Sequence, residues 1–454
     1  MATNSNDLTP RWDNFAVYLP SIQKAFAKAA YKLGDKKRVM PAGVTMKDLN
    51  FLDPNNKLWH YGYALYSAGQ FKVGEQQADI VTNRKHGAII VGDSGGYQIG
   101  KGTLAGFDAL KGLRKPEDVC AAWSDATELK TWIVNWLETH CDYAMTVDMP
   151  LWARFKENKS SPFHKCSTDQ LITLTVENLR LIQSSRRGNT KWLNVIQGTT
   201  AEDMALWWDA VKDFRFGGWA LAGDTGWRGG AAVIIKQVLM MRDDGGFEPG
   251  MDWMHVLGVS QAKWAVLLTA IQRGLRASCN PNFRISYDSA SPNILSGKFQ
   301  QAAISPTFTS KPESWSIRAV RCPNDKVYVS GDPAYAFPFP SPLGDRLKMH
   351  HLNVQYDPYS NVHFDDVSQH LLTNHNTWVY VRSMLEANEL AFLDRHDAQS
   401  FVPPQLLDCI YLFEDLLTSS TWHAKWKKHA KVFEALKDLK SGAEFLAADD
   451  NPVA

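Results

Sequence analysis

The 454-residue chain is poor in cysteine and has no excess of either charge. Its six cysteines form no Cys-x-x-Cys pair, which excludes a disulfide scaffold and indicates a reducing compartment. The net charge is +1, so any nucleic-acid contact must come from a local basic patch. No run approaches the roughly 18 apolar residues of a membrane span, and the polar start lacks a signal-peptide pattern. We expect a cytoplasmic protein that makes no membrane contact.

Between residues 87 and 290, short apolar runs alternate with helical patterns. Such short apolar runs are typical of strands buried on both faces. They are Ala88–Val91, Tyr143–Val147, Trp192–Ile196, Trp219–Ala222, His255–Leu257 and Arg284–Tyr287. Apolar residues at helical spacing predict helices between them at Asp169–Ser185, Ala201–Phe214 (with Thr200 as candidate N-cap), Ala231–Met241 and Gln261–Leu275. This alternation implies parallel strands joined by helical crossovers.

Two architectures fit this alternation: an open doubly wound sheet and a closed barrel. The G-x-G-x-x-G sequence of a dinucleotide-binding sheet is absent, whereas polar residues follow nearly every run, where barrel enzymes assemble their sites. We therefore predict an α/β fold, a (β/α)8 TIM barrel with insertions and a C-terminal helical subdomain. Residues 1–86, with a helix at Ser21–Leu33, would contribute the first barrel elements. Residues 87–300 would form the barrel core, and residues 301–454 an insertion and a helical region.

Three of the runs end in an aspartate, namely Asp93, Asp148 and Asp288. In one barrel these side chains would converge on one mouth, where burial and mutual repulsion can raise the pKa of one acid while another stays ionised. One can then act as nucleophile and another as general acid/base, as in retaining glycoside chemistry. The alternative is that each aspartate only caps the following helix or turn.

Two further segments carry polar groups or exposed backbone to the same mouth. The two glycines of Asp93–Gln98 permit close backbone approach to a ligand, although they also serve ordinary tight turns. The amide of Gln197 can donate and accept at a base edge, or it can bond loop backbone. Gly218–Gly223 would place small residues and backbone amides beside this pocket.

Together these segments resemble the tRNA-guanine transglycosylases and their DNA-acting relatives. Asp93–Gln98 is similar to the family's D-S-G-G-[FY]-Q, and Tyr287–Ser289 to its F-D-C segment. The other similar segments are Asp142–Asp148, Val195–Gly198, Gly218–Gly223, Leu257–Val259 and, around the family's zinc-binding histidine, Leu371–Asn376.

The resemblance implies a role for each matching residue. Asp288 would be the nucleophile and Asp93 the general acid/base, while Asp148 and Gln197 would hold the edge of the base. The implied substrate-binding residues are Ser94, Gly95, Gly96, Tyr97, Asp148, Gln197, Gly198, Ala222 and Gly223. The reaction would exchange guanine for a free 7-deazaguanine base such as preQ0, with no cofactor required for the chemistry.

This sequence departs from the family pattern in its metal ligands. The family's C-x-C-x-x-C cluster is missing, and Cys322 with His375 gives too few ligands for a structural zinc. Four other histidines could substitute, although histidines in such segments are usually packing or surface residues: His350, His351, His363 and His370. We expect no metal site, with the region packed instead by Trp315, Tyr328, Tyr335, Phe337 and Phe339.

The segment after the nucleophile departs as well, because Ser289–Lys298 lacks the arginines that suit a folded tRNA loop. This pattern resembles the DpdA-type DNA 7-deazaguanine transglycosylases of phages and bacteria, which implies DNA as partner and, for a phage protein, the host cytoplasm. The alternatives are a transglycosylase acting on tRNA and a noncatalytic partner subunit. Candidate nucleic-acid contacts are Arg84, Lys85, Arg186, Arg187, Lys425, Lys427 and Lys428, where the last run (continuing to Lys431) could equally be a solvated helix face.

Overall fold

The computed structural model describes residues 6–32, 38–322, 334–355 and 363–441, and at its centre eight parallel strands close into a barrel. Strand β8 pairs with β1, which places Asp288 opposite Leu19 and closes the sheet. The predicted (β/α)8 fold is confirmed. The strands are β1 (Val17–Ile22), β2 (Tyr63–Ser67), β3 (Ile89–Asp93), β4 (Tyr143–Met145), β5 (Lys191–Ile196), β6 (Gly218–Leu221), β7 (Trp253–Val256) and β8 (Arg284–Ser289).

Helices cross over between these strands. They are α1 (Lys24–Ala29), α2 (Gly96–Lys101), α3 (Pro116–Ser124), α4 (Thr127–His140), α5 (Thr168–Ser185), α6 (Ala201–Val211), α7 (Gly230–Asp243) and α8 (Ala262–Ser278). Each of the four predicted helices is present, and Thr200 caps α6 by accepting a hydrogen bond from the Asp203 N–H. The local patterns were sufficient because each of these helices buries apolar residues at helical spacing.

The predicted helix at Ser21–Leu33 is wrong at its start. Ser21 and Ile22 are the last two residues of β1, and α1 covers only Lys24–Ala29. Strands β2 and β8 lie on either side of β1. Pairing with them satisfies the backbone hydrogen-bonding groups of β1, so this segment forms a strand rather than a helix.

Beyond the barrel, the predicted C-terminal helical region is confirmed. Its longest helix, α11, packs on α8, and the Thr269 hydroxyl donates to the Asn388 side chain over 2.6 Å. A two-stranded antiparallel sheet precedes this region. The elements are α9 (Ser291–Ile294), β9 (Gln301–Ile304), β10 (Arg318–Arg321), α10 (Met349–Leu352), α11 (Asp366–Ala391), α12 (Arg395–Ala398), α13 (Pro404–Thr418), α14 (Trp422–Lys428) and α15 (Ala430–Leu436). None of the helices in the described ranges is long and apolar enough to cross a membrane.

The aromatic residues expected to pack this region differ in how deeply they are buried. Trp315 is buried edge-on against Phe308, and Phe337 packs edge-on against Phe339 at 5.2 Å between ring centroids. Tyr335 is 47% exposed and buries less of its ring than Trp315 or Phe337. A phenol retains a hydroxyl that favours water, and so it lies at a surface more readily than tryptophan. Tyr328 lies outside the described residues.

Candidate active site

The carboxyl ends of the strands form one mouth, as in other barrels of this kind. Asp93 is the last residue of β3, and Asp288 lies near the end of β8. Both line a cavity of about 600 Å³. Asp148 follows β4, close enough to Asp93 for the Asp93 charge to act on its pKa. The tertiary structure thus brings the three aspartates of the sequence analysis to one end of the barrel.

Groups from the ends of two strands, β7 and β1, hold the carboxylate of Asp288. The Gly258 N–H donates to its Oδ1 over 3.0 Å, and His255 Nε2 lies 3.3 Å from the same oxygen. The Ser21 hydroxyl donates to Oδ2 over 3.2 Å. Hydrogen bonds to the charged form stabilise a carboxylate and fix its orientation. Asp288 is therefore held as an oriented acceptor that still lines the cavity.

A chain of hydrogen bonds beneath Asp288 runs through the barrel interior. The Trp253 indole donates to the Ser286 hydroxyl over 2.8 Å, and His255 Nδ1 lies 2.9 Å from the same hydroxyl. The sequence analysis missed this role of His255. The alternation of side chains along a strand could have indicated it. Trp253 and His255 lie two residues apart on β7 and face the barrel interior, as Ser286 and Asp288 do on β8.

Asp93 lines the same cavity from the end of β3. Burial raises its pKa, and the nearby charge of Asp288 adds to that effect. The Ser67 hydroxyl and the Gly95 N–H, which donates to Asp93 Oδ1 over 3.2 Å, act in the opposite direction. A raised pKa makes a carboxyl group better able to hold the proton that a general acid donates.

Asp148 and Gln197 contact each other directly. The Gln197 amide donates to Asp148 Oδ2, and burial raises the pKa of Asp148 to about 7. Gln197 is 3% exposed, and its Oε1 has no hydrogen-bond partner. Neither residue lines the open cavity. Because buried polar atoms are normally paired, this orphaned oxygen marks a place for a ligand donor beneath the mouth.

The Ser94-Gly95-Gly96 turn connects β3 to α2. Ser94 uses its hydroxyl structurally, because that group donates to the Thr146 carbonyl over 3.1 Å. Gly95 has a φ of 94°, and a Cβ there would lie 2.7 Å from the Gly69 Cα, so only glycine fits. A Cβ on Gly96 would lie 3.5 Å from Asp148 Oδ1. The turn therefore brings its backbone against the Asp148 carboxylate.

Tyr97 stands at the rim of the cavity and is 64% exposed. Its ring centroid lies 5.7 Å from that of Trp152, and the Lys101 ammonium lies 5.9 Å from the Tyr97 ring and 5.2 Å from the Trp152 ring. Trp152 was not singled out from the sequence, because it follows a different strand. The exposed face of Tyr97 is available for stacking on a base.

The other small residues expected to bind substrate are Gly198, Ala222 and Gly223. Gly198 has a φ of 130°, and a Cβ there would lie 2.4 Å from the Met204 side chain. Ala222 donates its N–H to the Ile196 carbonyl over 3.0 Å, so that amide is used within the barrel. Gly223 faces the backbone of Leu257, with 3.5 Å between a built Cβ and the carbonyl oxygen.

Asp224, just beyond Gly223, is a fourth acid at this end that the sequence analysis passed over. Burial raises its pKa to about 7, and its Oδ2 is buried without a partner. Arg228 donates to its Oδ1 over 3.0 Å and also pairs with Glu157. The pair links the loops that follow β4 and β6.

The basic residues expected to contact nucleic acid lie at the other end of the barrel. Arg84 donates to Asp142 just before β4, and Arg187 donates its backbone N–H to Glu138 near the end of α4. Lys85 pairs with Asp53. Arg186 directly precedes Arg187, after α5. A loop that leads into a strand lies at the amino end of a barrel, so the structure does not bring these four to the mouth.

The C-terminal basic run is tied to that same far end. The Trp422 indole donates to Asp243 at the carboxyl end of α7, which leads into β7. Lys425 is paired with Asp415, and Lys427 and Lys428 follow on the same short helix. The structure therefore places the start of this run, Trp422 and Lys425, at the far end.

His375, which resembles a zinc ligand, is satisfied by hydrogen bonds. Its Nδ1 lies 2.8 Å from the Ser341 hydroxyl and its Nε2 lies 3.1 Å from the Ala303 carbonyl. Burial lowers its pKa to about 4 and raises that of the Cys322 thiol to about 12. Within the described ranges, no group of three or more His, Cys, Asp or Glu side chains could hold a metal ion.

Comparison with known proteins adds no argument about this chain. No protein-family model matches the chain, and no curated protein sequence matches it. Among solved structures, the chain is similar to xylanase B from Clostridium stercorarium F9, at 11% sequence identity and a TM-score of 0.35. The similarity covers 62% of this chain and 88% of the xylanase chain. So low a TM-score carries no argument about activity. The chain is a (β/α)8 barrel, an architecture that commonly carries enzyme sites at the end where these acids meet.

Proposed function

We propose that this protein is a base-exchange transglycosylase that replaces guanine in DNA with a 7-deazaguanine such as preQ0. The observation that carries the proposal is the pairing of two unlike carboxyl groups in one cavity. Asp288 is held by hydrogen-bond donors, whereas desolvation raises the pKa of Asp93. Groups whose environments separate them in this way suit the nucleophile and the acid/base of a retaining glycosyl transfer.

In the first displacement, a carboxylate oxygen of Asp288 attacks C1′ of the target nucleotide. The C1′–N9 bond breaks, and the departing guanine takes a proton from Asp93. This leaves a covalent bond between C1′ and Asp288. The Gly258 N–H, His255 and the Ser21 hydroxyl orient the attacking carboxylate. Holding a nucleophile in place removes much of the entropic cost of the step.

In the second displacement, Asp93 takes a proton from the incoming 7-deazaguanine. The base nitrogen then attacks C1′, and the bond from C1′ to Asp288 breaks. Two inversions preserve the β configuration, and the exchange is balanced without ATP or a redox cofactor. Asp148 and the orphaned oxygen of Gln197 would accept the N–H groups at the edge of the base.

The choice of DNA rests on the sequence after the nucleophile. Ser289–Lys298 lacks the arginines expected in enzymes that grip a folded tRNA loop. Action on tRNA is the alternative, and it predicts that tRNA rather than DNA becomes labelled. A noncatalytic subunit would have little need of an acid/base and an oriented nucleophile in one cavity.

The proposal is tested by incubating the protein with labelled preQ0 and either DNA or tRNA, and then measuring the label in each polymer. Label in DNA that depends on both Asp93 and Asp288 is the expected result. Label in tRNA alone would show that the substrate is tRNA rather than DNA. Label in neither polymer, from a well-folded protein that binds nucleic acid, would reject the transglycosylase.

A further inference from the structure

The cavity that holds Asp93 and Asp288 has a second, basic wall on α1. Lys24 and Lys28 line it, one helical turn apart on the same face of that helix. Neither lysine was a candidate in the sequence analysis. The cavity is therefore acidic on the side of β3 and β8 and basic on the side of α1.

Both lysines pair with one carboxylate. The Lys24 ammonium lies 2.7 Å from the Glu75 carboxylate, and the Lys28 ammonium lies 3.0 Å from Glu75 Oε1. The hydrogen bond from Lys24 is the largest of the effects that lower the pKa of Glu75 to about 2. The three side chains are 23–36% exposed, so solvent and solutes reach them. Two ammonium groups on one carboxylate leave a net positive charge.

We propose that Lys24 and Lys28 bind a backbone phosphate of the target nucleotide, which displaces Glu75 from the two ammonium groups. This inference rests on the proposed function and adds a phosphate subsite to it. A nucleotide carries C1′ and its phosphate on the same sugar, so a cavity with acids on one wall and ammonium groups on the other matches both. The phosphate is repelled by Asp93 and Asp288, and the lysines offset that repulsion.

The test measures binding of a fluorescent single-stranded deoxyoligonucleotide containing one guanine, by anisotropy, between about 50 and 200 mM salt. For the double variant Lys24→Gln/Lys28→Gln we expect affinity to fall roughly tenfold and the salt slope to flatten by about 1.4, since each lost contact to a single strand contributes about 0.7. The matched control is Lys85→Gln, which removes a lysine from an ion pair at the far end of the barrel. Its affinity and slope should equal those of the unaltered protein.

A second variant separates phosphate binding from a structural role of the lysines. Glu75→Gln frees both ammonium groups, so a phosphate subsite should bind the oligonucleotide more tightly, whereas a merely structural cluster should not. An unchanged affinity in the double variant, or weaker binding by Glu75→Gln, would overturn the inference. The exchange assay distinguishes the two proposals. Lysine-dependent binding without exchange would reject only the transglycosylase, and exchange that is indifferent to both lysines would reject only the subsite.

Discussion

Asp288 is the residue on which the proposed chemistry depends, because its carboxylate forms the covalent bond. Asp288→Asn keeps the size of the side chain but removes the charge that attacks C1′. We expect exchange of labelled preQ0 to fall by at least about 10³-fold, as when other enzymes lose a nucleophile. The melting temperature should change by no more than about 1–2 °C, since 1 kcal/mol shifts it by about 1 °C in a chain of this size.

The matched control is Asp209→Asn. The Asp209 side chain is 69% exposed on α6 and pairs only with Lys212 among the described ion pairs. Exchange should be unaffected in this variant. Normal turnover by a well-folded Asp288→Asn protein would show that Asp288 is not the nucleophile.

The pH dependence of base binding should follow Asp148. A carboxylate accepts two N–H bonds, whereas its protonated form also carries a donor, so binding requires that the proton leave. With the pKa of Asp148 raised to about 7, the affinity for free preQ0 should rise with pH up to that value, by as much as about tenfold per pH unit, and then level off. Calorimetric titration with preQ0 from about pH 5.5 to 8.5 measures this affinity.

Substitutions of Asp148 test whether its carboxylate causes this pH dependence. Asp148→Ala should weaken binding more than tenfold, because charge-assisted hydrogen bonds contribute about 1.5–3 kcal/mol each. Asp148→Asn should bind weakly and without this pH dependence. An affinity for preQ0 that stays flat from acid to neutral pH in the unaltered protein would contradict the role of Asp148.

At the scale of elements, α11 holds the two-stranded sheet to the barrel. Asn376 is fully buried on that helix, and its Oδ1 accepts from the Ala303 N–H over 2.7 Å. Its amide donates to the carbonyls of Gln301 and Pro292. Asn376→Ala leaves these backbone groups without that partner, so the free energy of unfolding should fall by about 2–4 kcal/mol in urea denaturation.

The control for that substitution is Asn55→Ala, at an exposed loop position. Its stability should stay within about 0.5 kcal/mol of the unaltered protein. Equal stability of the two variants would mean that water replaces the hydrogen bonds of Asn376. In that case the sheet would be held by its apolar contacts alone.

At the scale of the whole molecule, the two ends of the barrel should differ in function. Arg186 and Arg187 follow α5 at the end opposite the mouth. The double variant Arg186→Gln/Arg187→Gln should therefore leave both exchange and the salt slope of oligonucleotide binding unchanged, although the sequence marked these residues as candidates. A slope that flattens by about 0.7 or more would show that the substrate reaches the far end.

The architecture could be predicted from the sequence because its determinants are local. Apolar runs and helical spacings fix where each element forms, and the parallel alternation leaves few topologies to consider. Asp93 and Asp288 could be chosen for the same reason, since the end of a strand in a barrel is also a place in the mouth. The helix predicted at Ser21–Leu33 was wrong at its start because β1 forms by pairing with strands that are distant in sequence.

By itself, then, the sequence determined the barrel, the strand ends and the acids at them. Only the tertiary structure decided which side chains pair across elements. It placed His255 under Asp288, paired Gln197 with Asp148, and put Lys24 rather than Arg84 at the mouth. The physical reason is that charge and hydrogen-bond contacts act over a few ångströms in space between residues far apart in the chain. Which partner each group finds depends on the end of the barrel that its loop occupies.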